Sequence, residues 1–293
     1  MIEVNNDPIK FGKSIWLVVI IVIFCVVIFC IIISNQFASQ SLNDTELSIY
    51  KEGTISRSFN YTLNGKDDVI TIDLYTTIYN KLFKQSPLMC KRSIRDNSPC
   101  TKLEMQQYYL EYINDPIQSA YLKSLVNSIK SKTSDSDDQV RIAISVVQNI
   151  PYGTINASKP NYPYEVLYNN IGMCEGKSLL LAYLIKELGY GVVIFDFKSE
   201  NHMAIGIRSP DQYSYKNSGY AFIETDSPSI ITDSQKDYVG FDKIKSNPQI
   251  FQVNVGKMFN SVSEDYNKFV VYNYTRNIIK FFELTNILYN IKL

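Results

Sequence analysis

The chain has one histidine in 293 residues, His202, preceded by Cys174 and followed by Glu224. A thiol, an imidazole and a carboxylate are the parts list of nucleophilic acyl transfer. The thiolate attacks a carbonyl, the ring moves the proton and the acid holds the ring. Cys174 opens the stretch CEGKSLLLAYLIKEL, which Gly189 closes. Its near-continuous apolar character predicts a buried helix with a glycine just past its end. A thiol at a helix start faces unsatisfied N–H groups and the positive end of the helix dipole. Both favour a thiolate and can help hold an oxyanion. The plain alternative is a structural core cysteine, a common fate of the residue.

Three short strands follow, VVIFDF (192–197), HMAIGIR (202–208) and GYAFIET (219–225). Setting His202 opposite Glu224 pairs Met203 with Ile223, Ala204 with Phe222 and Ile205 with Ala221. Met203, Ile205, Ile207, Ala221 and Ile223 then share a core face. His202 and Glu224 lie side by side on the other, where a carboxylate fixes the imidazole tautomer. Gln148, ending an expected helix over 137–149, is a candidate second oxyanion donor and equally a polar helix end before Pro151. Glu175 and Lys177 read as a solvated first turn, and Tyr162 and Tyr164 as cleft lining or, as most of the 22 tyrosines must be, as packing or surface. With a single histidine and no acidic calcium loop, no metal and no cofactor are expected.

The elements that position these residues fall into blocks. Residues 1–14 form a short tail with Lys10 and Lys13. Residues 15–33, IWLVVIIVIFCVVIFCIII, are an uncharged run long enough to span a bilayer. It has no convincing cleavage site, which favours an uncleaved single-pass anchor over a signal peptide. Basic residues before the run and none until Lys51 place the rest of the chain outside the cytoplasm. Residues 34–50 read as a linker. Residues 51–100 form a small β-rich region, with Asn64-Gly65 as a hairpin turn between β-branched runs. Helices are expected over 103–113, over 116–131 behind Asp115-Pro116, and over 137–149. On the second, Ile117, Tyr121, Leu125 and Ile129 make the apolar face. Residues 152–173 read as loop, 101–240 as the core, and 241–293 as a C-terminal extension with terminal helix.

Lysine plus arginine and aspartate plus glutamate number 29 each, which argues against a global electrostatic grip on nucleic acid. Five cysteines are too few for a disulfide-built scaffold. Cys25 and Cys30 fall in the apolar run. Cys90 and Cys100 flank a polar loop that a disulfide could close, which leaves Cys174 alone.

Several stretches in this order resemble the transglutaminase-like superfamily, in particular its prokaryotic membrane-linked members. They are Val147-Gln148-Asn-Ile-Pro-Tyr152, Tyr162-Pro-Tyr-Glu-Val-Leu, Gly172-Met-Cys174-Glu-Gly-Lys-Ser178-Leu-Leu-Leu-Ala, Leu188-Gly-Tyr, Asn201-His202-Met and Phe222-Ile-Glu224-Thr225. The resemblance covers about 103–240. It implies an α+β papain/transglutaminase-like core, with the nucleophile helix packed on an antiparallel sheet. It also implies Cys174 as nucleophile, His202 as base and Glu224 as orienting acid. The chain departs from many relatives in carrying Met173 and Gly176 where they have aspartate, and Glu224 where they have a third-position aspartate. Asp226 is the backup acid. The expected activity is cysteine peptidase, or acyl transfer to an amine, acting on a peptide or protein substrate. The competing expectation is a catalytically silent surface module that binds a protein or cell-wall partner.

Overall fold

In the computed structural model, β1 (Thr54–Leu63) and β2 (Lys66–Tyr75) pair antiparallel. Asn64 and Gly65 both take positive φ, 51° and 75°, as the tight hairpin turn requires. The structure describes residues 53–85, 99–155, 160–235 and 243–291, within one compact unit, Gly53–Leu293. The apolar run 15–33, Cys25, Cys30 and Cys90 lie outside the described residues. Among the described residues no helix is long and apolar enough to cross a membrane.

Alternation along the hairpin buries Phe59, Tyr61, Ile70, Ile72 and Leu74. The strand signal runs on into TTIY, but β2 stops at Tyr75 and α1 (Thr76–Phe83) begins. Ile78 and Leu82, one turn apart, bury its inner face.

Three helices follow, each with a side-chain N-cap. α2 (Lys102–Ile113) has a Thr101/Glu104 capping box. α3 (Pro116–Lys132) has Asp115 as N-cap and proline at its first position. In α4 (Ser136–Asn149), Asp135 accepts from the N–H groups of Asp137 and Asp138. The buried stripe of α3 is Gln118, Leu122, Leu125, Val126 and Ile129. Ile117 and Tyr121 are only half-buried, because a strict four-residue step drifts off a face that repeats every 3.6 residues.

Residues 152–173 are not all loop. α5 (Pro163–Asn169) starts at Pro163, with Tyr162 and Glu165 forming a capping box. The proline serves as the first helical residue and not as a breaker. α6 (Cys174–Glu187) follows, with Gly189 at φ 87° just beyond its end.

β3 (Val192–Phe197), β4 (His202–Arg208), β5 (Tyr220–Ile223) and β6 (Gln249–Asn254) form an antiparallel sheet in the order β5-β4-β3-β6. The edge strand β6 therefore comes from beyond residue 240. α6 packs on β4 and β3, α4 packs on β1 and α6, and α7 (Val262–Ile291) closes the chain. The architecture is α+β, with helices gathered on one face of the four-stranded sheet. The opposite face holds Val193, Phe195, Phe197, Ala204 and Phe222, covered by Tyr215, Tyr220, Ile244 and Ile250.

The register of β4 on β5 differs from expectation by two residues. Ile205, not Met203, opposes Ile223, and Ile207 opposes Ala221. The 210–218 connection folds into two short 3-10 turns (Asp211–Tyr213 and Tyr215–Asn217), and Ser209 N donates to Gly219 O at 3.0 Å. That closure sets the register. A slip of two keeps every side chain on its face, so Met203, Ile205, Ile207, Ala221 and Ile223 are all buried together.

Candidate active site

Cys174 is the first residue of α6 and the one free cysteine among the described residues. Cys100 is disulfide-bonded, and its expected partner Cys90 lies outside the described residues. The N-cap, Met173, is extended (φ −83°, ψ 171°) and offers no side-chain cap. The leading N–H groups of the helix are thus not taken by a capping side chain. The approach to Cys174 is clamped to the end of α4. Gly172 N donates to Pro151 O at 3.1 Å and Gly153 N to Gly172 O at 3.2 Å.

His202 begins β4 and Glu224 directly follows β5. The Nε2 of His202 lies 3.1 Å from Glu224 Oε2, and both residues are buried. The other oxygen of Glu224, Oε1, accepts from Thr225 N at 2.7 Å and Asp226 N at 2.9 Å. A carboxylate held by two backbone donors and one ring nitrogen has little freedom to turn. On the far side of the ring, Nδ1 faces Asp226 Oδ2 at 3.6 Å. Donor atoms of Cys174, His202 and Asp226 all lie within 4.8 Å of one another.

Burial opposes a charge on the ring. It is outweighed by the hydrogen bond with Cys174, by Glu224, and by the charge of Asp226, and the His202 pKa is pushed up to about 10. The site therefore favours the protonated ring.

Lys177 is not a solvated residue. It is fully buried, and Nζ donates to the carbonyls of Ile150 (2.5 Å), Asp226 (2.9 Å) and Gln148 (3.4 Å). One ammonium therefore ties the end of α4, the loop after β5 and the nucleophile helix together. Replacing it, Lys177→Met, removes a charged donor from three buried carbonyls. The expected loss is about 3 kcal/mol. Denaturant unfolding checks it, and a loss under about 1 kcal/mol would show that these bonds do not brace the site.

Gln148 is also placed otherwise than expected. Its Nε2 donates to Glu224 O (2.9 Å) and Ser229 O (3.1 Å), while its Oε1 accepts from Ser229 N (3.3 Å). Both amide protons are committed, so the side chain splints the Glu224 loop and has no donor left for an oxyanion. Tyr162 and Tyr164 are core struts and not cleft lining. Tyr162 Oη donates to Gln85 Oε1 at 2.6 Å, and Tyr164 Oη accepts from Tyr75 N at 2.6 Å. The tyrosine on the site's rim is Tyr152, 55% exposed, whose pKa is raised by partial burial and by the charges of Cys174, Asp226 and Glu224.

Glu175 is a second departure from a solvated turn. Burial and the nearby charge of Asp196 push its pKa up to about 7. Asp196, on β3, is itself raised by burial and accepts from Tyr109 Oη at 3.3 Å. The sequence offered one clue to both misread residues: they sit in the first turn of a helix that is apolar nearly all round.

The class of arrangement is therefore a helix-borne thiol joined to a buried imidazole–carboxylate pair on an antiparallel sheet. Comparison with known proteins adds little to it. One solved structure, described as "Crystal structure of a TGase", matches at 18% identity with a TM-score of 0.26. The match covers 64% of this chain and 46% of that one, so the chain spans about half of its length. A likeness of that size decides neither fold nor activity. No protein-family model and no curated protein matches the chain.

Proposed function

We propose that the chain is a thiol enzyme that cleaves peptide or other amide bonds through Cys174, His202 and Glu224. The carrying observation is the hydrogen-bonded line from Cys174 through His202 to Glu224 Oε2. In this reading the Cys174 thiolate attacks the amide carbonyl carbon. The leading N–H groups of α6 face the developing oxyanion. The His202 imidazolium gives its Nδ1 proton to the departing amine, which leaves a thioester on Sγ. A water then attacks the thioester while His202 takes its proton. The acid is released and the thiolate–imidazolium pair returns. Glu224 keeps Nε2–H pointed away from the thiol throughout.

The resemblance of the ordered motifs to the transglutaminase-like superfamily supports a papain/transglutaminase-like reading of this core. An amine could replace water as the acceptor, but hydrolysis needs no second binding site and is the simpler use of the residues present. The apolar run 15–33 would serve as a single tether, with the enzyme outside the cytoplasm.

The test uses the full chain and a peptide-based thiol-reactive probe, with the labelled residue identified by peptide mapping. Labelling at Cys174, faster than at a free thiol and lost on His202→Ala, is expected. Hydrolysis of a peptide mixture should vanish in Cys174→Ala. A Cys174 that labels no faster than free cysteine, in a chain inert to the peptides, would leave the silent binding module as the better reading.

A further inference from the structure

A single histidine argues against a multi-histidine metal site, but one imidazole can still serve beside a thiol and a carboxylate. We propose that Cys174, His202 and Asp226 together bind one Zn²⁺ ion, and that the bound ion switches the thiol off. A thiolate sulfur, an imidazole nitrogen and a carboxylate oxygen are the three donor types that zinc accepts together. Here they converge: all three donor atoms lie within 4.8 Å of one another, and Nδ1 is 3.6 Å from Asp226 Oδ2. Across a tetrahedral zinc with bonds of about 2.0–2.3 Å, neighbouring ligand atoms stand roughly 3.3–3.6 Å apart. The Nδ1–Asp226 pair already has that spacing, and the pairs with Sγ, within 4.8 Å, would close up by about 1.5 Å at most.

The surroundings fit as well. A zinc-bound histidine usually donates its other N–H to a carboxylate, which fixes the tautomer and aims the lone pair at the metal. Glu224 Oε2 does this at Nε2, at 3.1 Å, and so presents Nδ1 to the site. The second oxygen of the same carboxylate accepts from Asp226 N at 2.9 Å, which anchors the backbone of the third ligand. Lys177 holds that backbone from the other side, at Asp226 O. Cys174 and His202 are buried, whereas the Asp226 side chain is 19% exposed and gives the ion a way in. Three protein ligands leave one position for water, the pattern of an exchangeable site and not of a closed structural one.

Binding would use the sulfur and nitrogen lone pairs that acyl transfer needs. The ion displaces the proton held between Sγ and Nδ1, which goes to buffer, and no electron transfer is involved. Mg²⁺ and Ca²⁺ prefer shells of oxygen ligands and would gain little from a site with one carboxylate.

The experiment titrates the reduced full chain with chelator-buffered Zn²⁺, and separately with Co²⁺ as a spectroscopic substitute. One zinc per chain is expected, with a thiolate-to-cobalt charge-transfer band. Both should be lost in Asp226→Ala and in Cys174→Ala. Zinc at a hundredfold excess over its Kd should slow Cys174 alkylation about 100-fold in the unmodified chain. It should not slow it in Asp226→Ala. Zinc stoichiometry that survives either substitution, or alkylation that ignores bound zinc, would overturn the proposal. If a variant does not fold, the unmodified chain alkylated at Cys174 beforehand must show no cobalt band, and a persistent band rejects the site. Metal-free alkylation and peptide hydrolysis report on the enzyme reading separately, so a chain inert to peptides could still bind zinc on these three residues.

Discussion

Replacing His202 with alanine should remove most of the reactivity of Cys174 towards iodoacetamide at pH 5.5, by up to about a thousandfold. The figure follows from ionisation: an ordinary thiol with a pKa of about 8.5 is a thiolate to roughly one part in a thousand at that pH. In the intact chain the imidazolium stands beside the sulfur, held by burial against it but by Cys174, Glu224 and Asp226 for it, with a pKa of about 10. A positive charge beside a sulfur favours the thiolate over the thiol. His202→Ala dissolves the pair and leaves Glu224 buried without the ring. Folding must therefore be checked by circular dichroism, and His202→Asn serves as the better-packed control. The same shift has a signature in stability. The folded pKa lies above the ordinary value of 6.5, so the stabilisation from charged His202 is fully present below about pH 6.5 and is lost as pH rises through about 10. Melts between pH 7 and 10 should thus fall more steeply for the unmodified chain than for His202→Asn. Equal alkylation rates at pH 5.5 with and without His202 would mean that the thiol and the ring do not act as a pair.

What the sequence revealed and what it hid divide along a physical line. The start of α3 and the β1–β2 turn were legible because such signals are local chemistry. Asp115-Pro116 and Asn64-Gly65 each act within a few residues of themselves. The faces of β4 and β5 were legible because alternation survives a two-residue slip, but the register was not, since the folding of 210–218 set it. The edge strand β6 gave no usable signal. It owes its place to pairing with β3, not to a marked pattern of its own.

The same division holds at the site. That Cys174, His202 and Glu224 belong together could be read from residue types and their order. The roles of Gln148 and Lys177 could not, because each is defined by a partner far along the chain: Gln148 by Glu224 and Ser229, Lys177 by Ile150 and Asp226. For Tyr162 and Tyr164 the packing alternative holds: both are buried, and their hydroxyls reach Gln85 and Tyr75 rather than a cleft.

Glu175→Gln should stabilise the protein in mild alkali while leaving it unchanged in acid. The Glu175 carboxyl is pushed from an ordinary 4.5 up to about 7, first by burial and then by the charge of Asp196. A raised carboxyl pKa means that the fold prefers the neutral form. Relative to the charged form, the stability of neutral Glu175 is complete below about pH 4.5 and is lost as pH rises through about 7. Glutamine has nearly the same shape, keeps the packing and never ionises. The gain at pH 8 should therefore be roughly 3 kcal/mol, or about 6–12 °C in melting temperature for a domain of this size. At pH 4 the two melts should coincide. Under the proposed thiol-enzyme reading, a peptide-hydrolysis assay of the variant asks whether the Glu175 charge contributes to turnover or only burdens the fold. A stability gain of the same size at pH 4 and pH 8 would show that ionisation of Glu175 is not its source.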